Sequence, residues 1–395
     1  MQPNLTAGKR IVAIDILRGA VMIIMALDHV RDFFHIGAFQ GDPLNLSTTT
    51  TGLFFTRWIT HFCAPVFVFL SGMSAFISGQ RKSKTELSFF LIKRGAWLVV
   101  VELVIISFAL SFDPLYRFVL LQVIWAIGWS MIVLGLLLRL GYKTVLITGI
   151  VLMAAHNLTD RYPLPSEGVP GILSQLFLTT GGVVYPVGER IIVAAYAILP
   201  WTGVLLLGYA AGALYKQNVE EAKRRRWLLG MGTGVIVFFI ILRWSNWYGD
   251  PRPWSEQYRE GFTLLSFINT AKYPPSLLYV CMTIGPALIL LALMENAKGA
   301  IARIMMVYGK VPFFYYVLHF FLIHLLCVIV FFAQGYGVDQ IRDPGSPFLF
   351  VPVGFGFELP VVYLVWALVV SALYIPCRWF GKYKANNKQW WLSYV

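Results

Sequence analysis

The chain has 395 residues, of which 58% are hydrophobic and 13% charged, with a mean hydropathy of +0.70. A soluble domain carries about 25% charged residues, so this composition excludes a disordered chain and argues against a water-soluble enzyme. The net charge of +13 would suggest nucleic acid in a soluble protein, but in a membrane protein it marks the loops that stay in the cytoplasm.

Apolar runs of about 20 residues predict ten helices in chain order: 11–36, 53–79, 86–111, 116–139, 142–159, 188–215, 226–246, 274–295, 308–333 and 357–380. The stretch 169–182 is apolar, short and glycine-rich, and as a re-entrant or interfacial segment it leaves eleven spans open. The N-terminus MQPNLTAGKR is short and polar. The first apolar run outlasts a signal h-region, so it is expected to stay in the membrane rather than be cleaved. Cys63, Cys281, Cys327 and Cys377 lie far apart in apolar stretches with no CxxC spacing and read as buried small hydrophobes.

Basic residues in the connecting segments alternate as ten spans require. Nineteen, from Lys9 and Arg10 to Lys388 and including the run Lys223–Arg226, fall on one side, and seven, including Arg117, Arg259 and Lys272, on the other. Both termini are therefore expected in the cytoplasm. The expected architecture is an all-α, polytopic transmembrane bundle forming one domain over residues 1–395.

Ionisable groups inside spans are costly and so mark functional candidates. The first helix, IVAIDILRGAVMIIMALDHVRDFFH, carries the densest set. Arg18 and His29 are eleven residues apart, nearly three turns, so they share a face roughly 16 Å apart along the axis. Asp15, Met22, Met25 and Asp32 complete that stripe. Asp15 is placed to pair with Arg18, leaving guanidinium donors for an anion. Asp32, one turn after His29, is placed to orient a histidine general base. Asp28, about 100° round the helix, is the weaker candidate.

The second span places Arg57 and His61 on one face, read mainly as a snorkelling arginine beside an interfacial histidine, and Pro65 frees a carbonyl. In the third span Lys93 and Arg94 sit one to two turns in, within reach of phosphates. Glu102 lies near mid-membrane and needs a partner or a proton. In the ninth span His319 and His324 point about 140° apart, with Tyr315 one turn before His319. The histidines show no metal-ligand spacing, and there is no Walker A loop, Rossmann fingerprint or GxSxG elbow. The loop 247–273 mixes Trp, Tyr, Asp, Glu and Arg, a composition shared by sugar-stacking sites and interfacial aromatic belts.

The segments AIDILRGAVMIIMALDHVRDFF, RWITHFCAPVFVFLSGMSAF, KRGAWLVVVEL and YGKVPFFYYVLHFFLIH resemble the heparan-α-glucosaminide N-acetyltransferase catalytic-domain family and its bacterial relatives, within the wider integral-membrane acyltransferases. The resemblance covers most of the first 110 residues and 308–324. It implies a multi-pass enzyme of the bacterial plasma membrane that takes an acetyl group from cytoplasmic acetyl-CoA to an amino sugar or glycan on the other side. No metal is expected, on the histidine spacing given above. Arg18 matches the motif arginine and His29 the motif histidine. His35, in HIGAFQGDPLNL, is the other histidine onto which the catalytic role can fall, and the face shared with Arg18 favours His29. His319 matches the late histidine of the family. Asp15, Arg18, Lys93 and Arg94 are then the residues expected at coenzyme A, and His29, Asp32, His319 and His35 those expected at the chemistry.

Two other classes remain. Intramembrane Asp, Glu and His also serve proton-coupled secondary transporters, although no internal duplication repeats the first helix's stripe. A silent membrane scaffold would have no use for the buried charges. The expected partners are membrane lipid, the acetyl donor and a glycan acceptor, with no nucleic acid. The small-residue helix faces are compatible with a homodimer.

Overall fold

A computed structural model describes residues 11–162, 164–179 and 183–394. Lys9, Arg10 and the end of the stretch 169–182 lie outside the described residues. The chain is mostly helical. Its helices are α1 (Val12–Phe34), α2 (Thr51–Thr60), α3 (Cys63–Gly79), α4 (Lys84–Val101), α5 (Ser107–Ser111), α6 (Val123–Leu137), α7 (Tyr142–Ala155), α8 (Gly168–Ser174), α9 (Ile198–Ala211), α10 (Glu221–Ser245), α11 (Phe262–Ile268), α12 (Leu277–Met294), α13 (Ala300–Gly309), α14 (Pro312–Ala333) and α15 (Leu359–Asn386). Seven segments among the described residues are long and apolar enough to cross a membrane: Thr51–Gly79, Val123–Leu140, Ile198–Tyr215, Glu221–Ser245, Leu277–Met294, Pro312–Ala333 and Leu359–Asn386.

The helix ends follow local chemistry. Ser83 and Glu86 form a reciprocal capping box at the start of α4, and Thr50 and Ser276 cap α2 and α12 by accepting from Leu53 N–H and Tyr279 N–H. Pro312 opens α14 at a position where its missing N–H costs nothing. Pro65 cannot donate to the carbonyl of His61, and the Tyr279 hydroxyl donates to that oxygen instead, at 2.7 Å. The break between α2 and α3 is thereby tied to α12.

Two expected helices begin later than hydropathy suggests. Residues 118–121 and 190–194 form strands β1 (Phe118–Leu121) and β3 (Arg190–Ala194), which pair in parallel, and β2 (Val183–Val187) pairs antiparallel to β3. The all-α expectation therefore misses a small three-stranded sheet. Short runs such as FVLL and RIIVA are β-branched and apolar, and periodicity alone does not separate a buried strand from the end of a span. The stretch from 168 to 179 is a short helix, α8 with a π-type turn.

Helix α1 is the hub, packing on α2, α3, α12, α13, α14 and α15. Its approach to α13 is at backbone distance. A Cβ on Gly19 would lie 1.8 Å from the Met305 carbonyl oxygen, and one on Gly309 would lie 1.8 Å from the Asp15 carbonyl oxygen. Neither backbone can give way. Glu102, fully buried, accepts from the N–H groups of Gln122 and Trp125, both at 3.2 Å. The partner this carboxylate needs is therefore the N-terminus of α6, whose unsatisfied donors and dipole favour negative charge.

Gly309→Ala is expected to lower stability by roughly 1–3 kcal/mol, the cost of overpacking, read as a lower thermal midpoint in detergent. Gly230→Ala, with open space at its Cβ position, is expected to leave that midpoint unchanged or raised.

Candidate functional site

The stripe on α1 feeds a row of three cavities. Nearest the start of α1, a wide basin is lined by Asp15, Arg18, Arg81, Lys82, Lys216 and Arg224 among others. It is open to solvent. Next comes a cavity lined by Arg18, Ser71, Ser74, Arg94, Lys310 and Lys384, with Arg18, Ser74 and Ser78 common to both. Beyond Phe67, which walls both, lies a third cavity holding Asp28, His29, Arg31, Asp32, Arg57, Gln122 and Lys272.

Arg18 is held as its spacing suggests. Its guanidinium bonds Asp15 Oδ1 at 3.2 Å, the Gly309 carbonyl at 3.2 Å and Ser74 Oγ at 2.7 Å. The contacts from α3 and α13 fix its plane where the basin meets the middle cavity. Arg94 lines the same middle cavity, whereas Lys93 is exposed on the outer face of α4 and is not among the lining residues. Lys310 and Lys384 join Arg18 and Arg94 there. By sequence these two count only as loop charges, because nothing in their local sequence shows that the junction of α13 with α14, and the end of α15, bring them to the start of α1.

His29 faces the third cavity. Its ring centroid lies 5.2 Å from that of His319 and 4.4 Å from that of Phe320. His319 is fully buried, and its Nδ1 lies 3.3 Å from the Tyr315 carbonyl one turn back, while its Nε2 has no hydrogen-bond partner. Nδ1 therefore carries the proton, and the Nε2 lone pair is left available. Asp32 is not turned toward His29 as the spacing suggests. Its carboxylate is bonded to Arg31 at 2.6 Å, because a guanidinium, always charged, is the stronger partner for that oxygen.

Asp28, ranked behind Asp32 by helical angle, is the buried carboxylate. It forms an ion pair with Arg31 at 2.9 Å and accepts a short hydrogen bond from Arg57. Arg57 is thus drawn inward as a counter-ion instead of snorkelling, a pairing that depends on α1 and α2 lying side by side. His35 sits outside the helix and does not line the cavity. Its Nδ1 accepts from Gly37 N–H at 3.1 Å, and its backbone bridges to Phe357. Partial burial pushes its imidazole below the ordinary value. His324 is a structural clasp, bonded to the carbonyls of Ala109 at 3.1 Å and Leu349 at 3.0 Å and stacked on Phe112.

The aromatics of the loop 247–273 serve mainly its own frame, Trp254 packing on Trp244 and Phe267. Only its end, Lys272 and Tyr273, reaches the cavity. No group of His, Cys, Asp and Glu able to hold a metal occurs among the described residues.

A membrane helix bundle with a basic cavity opening from one end and a histidine pair beyond it is the class of protein defined by this fold and site. The family described as heparan-alpha-glucosaminide N-acetyltransferase, catalytic, matches residues 10–244, and the chain belongs to that family of acetyltransferase-type membrane enzymes. No curated protein matches it.

Breaking the Asp28–Arg57 pair leaves a buried charge short of compensation. Arg57→Leu is expected to cost about 3 kcal/mol, measured by thermal unfolding in detergent. Asp28→Asn combined with Arg57→Leu is expected to cost less than the sum of the single changes.

Proposed function

We propose that the protein moves an acetyl group from cytoplasmic acetyl-CoA to the amine or hydroxyl of an amino sugar or glycan on the opposite side of a bacterial plasma membrane. In this reading residues 1–395 form one domain of ten spans, with both termini in the cytoplasm, as the 19-to-7 distribution of basic residues suggests. The observation that carries the proposal is the shared wall at Phe67. A cavity lined by four basic side chains abuts the cavity that holds His29, so a donor with a phosphate-bearing head and a long thioester arm has room for both ends.

Arg18, Arg94, Lys310 and Lys384 supply fixed positive charge for the donor's phosphates, and Asp15 holds Arg18 in place. His29 takes the acceptor's proton, or first accepts the acetyl group itself. His319, whose ring centroid lies 5.2 Å from that of His29 and whose Nε2 has no hydrogen-bond partner, takes the orienting and proton-accepting part that spacing alone assigned to Asp32. His35 has no part in the chemistry.

His29→Ala is expected to abolish transfer from labelled acetyl-CoA in detergent while the thermal midpoint and coenzyme A binding persist. Full activity in that variant would falsify the assignment. Rapid quenching with labelled donor and no acceptor separates the two routes, since protein-bound label on His29 appears only through an acetyl-imidazole. Arg94→Gln is expected to weaken coenzyme A binding by roughly tenfold, the equivalent of one charge-assisted hydrogen bond, as measured by calorimetry. Unchanged affinity would move the donor elsewhere.

A further inference from the structure

The cavity around His29 is lined by three cationic side chains, Arg31, Arg57 and Lys272, and by two carboxylates, Asp28 and Asp32. Both guanidiniums are paired with carboxylates, with Arg31 Nη1 alone left without a hydrogen-bond partner. Arg57 bonds Asp28, and Arg31 bridges Asp28 and Asp32. Lys272 is only 7% exposed, yet no carboxylate among the described residues is at salt-bridge distance from its ammonium. Its nitrogen lies instead 5.1 Å from the ring centroid of Tyr273 and 6.0 Å from that of Tyr196. Aromatic faces stabilise a cation without neutralising it. Leaving such a charge buried is costly.

The backbone that carries Lys272 is built to hold it there. Arg243, 1% exposed, donates to the carbonyls of Phe267, Arg252, Ser266 and Asn269. Asp250 accepts from Ala271 N–H at 2.8 Å and from Ser276 Oγ at 2.6 Å. The residue before Lys272 and a residue four after it are therefore pinned to one buried carboxylate. This anchoring fixes the ammonium in the cavity before any ligand arrives.

Resting on the acetyltransferase reading above, we infer that Lys272 is the electrostatic catalyst of acyl transfer, its ammonium placed for the oxygen on which negative charge develops when the thioester carbonyl is attacked. In the step, the acceptor nitrogen's lone pair bonds to the carbonyl carbon, the carbonyl π pair moves onto oxygen, and His29 takes the nitrogen's proton. Collapse re-forms the C=O bond and breaks the C–S bond, and the departing thiolate takes the proton from His29 to leave as a thiol. An acetyl-imidazole route passes through the same oxyanion. A single ammonium, a point charge with three donors, suits one oxygen. A permanent carboxylate or phosphate on the acceptor is matched by guanidinium forks, and here Arg57 is paired with Asp28 and Arg31 with Asp28 and Asp32, which leaves the single nitrogen Arg31 Nη1, not a fork, without a partner.

The test compares Lys272→Met and Lys272→Arg with the wild type, as whole chains in detergent, with labelled acetyl-CoA as donor and glucosamine or glucosamine 6-phosphate as acceptor. Lys272→Met is expected to lower kcat by about 10²–10³-fold, as for loss of one oxyanion donor, with both acceptors alike and with coenzyme A affinity and acceptor KM unchanged. Lys272→Arg, which keeps the charge, is expected to stay within about tenfold of wild type. Wild-type kcat in the methionine variant overturns the inference. So does a defect confined to the KM of the phosphorylated acceptor, which would make Lys272 a subsite for a permanent anion. Equal losses in both variants, with coenzyme A binding intact, overturn it as well. If the methionine variant binds no coenzyme A it has lost its fold, and the arginine variant decides on the same criteria. A wild-type chain that neither binds coenzyme A nor transfers acetyl overturns the acetyltransferase reading itself, and this role with it.

Discussion

Inside an apolar bundle a carboxylate persists as an ion only where cations or unpaired N–H donors come to it, and helix α1 carries several carboxylates along its length. Asp28 draws Arg57 from α2 and Arg31 from its own helix. Asp15 and Arg18 meet Ser74 of α3 and the Gly309 carbonyl at the end of α13. These compensating contacts decide which helices surround α1 and at what rotation, since moving any of them by a residue would strand a charge. The absence of Cβ atoms at Gly19 and Gly309 lets the same helix reach α13 at backbone distance, so polar pairing and close packing reinforce one arrangement.

That arrangement divides the inside of the bundle into zones of different charge. At one end, arginines and lysines from α1, α4, α15 and the junction of α13 with α14 converge on a cavity of a charge suited to phosphates. Past Phe67 the charges come in near-neutral sets, with the imidazoles of His29 and His319 tilted toward each other among them. In the proposed reading, that separation would suit a two-ended donor, with fixed positive charge at its head and a less charged chamber at its reactive end. Lys272 is the exception in the second chamber, a cation kept on aromatic faces and delivered by a loop locked on Arg243 and Asp250.

Helix ends tell a related story. Glu102 reads from sequence as a charge in search of a partner, and the partner is a row of backbone N–H groups at the start of α6. The same contact fixes Gln122 at the edge of the His29 cavity. The small sheet beside it exists because strand-sized apolar runs flank this capped helix start. Hydropathy windows of span length blur those runs into the helices that follow.

The membrane character of the chain, the approximate positions of most of its helices, and the one-sided stripe Asp15–Arg18–His29 were all legible from sequence. Each rests on local physics: apolar length against bilayer thickness, and a rotation of about 100° per residue. Local spacing also ranked Asp32 above Asp28, left Arg57 as a surface snorkel, grouped Lys93 with Arg94, and passed over Lys310, Lys384 and Lys272. In all of these cases but that of Asp32, which is held by the adjacent Arg31 of its own helix, the deciding neighbour lies on another element of the fold. A guanidinium from α2 captured Asp28, Arg31 captured Asp32, rotation of α4 against α6 turned Lys93 outward, and the ends of α14 and α15 met α1. Sequence periodicity determines which residues share a face of one helix. Only tertiary packing decides what that face meets, because the free energy of a buried charge is set by the groups within a few ångströms of it, whatever their distance along the chain.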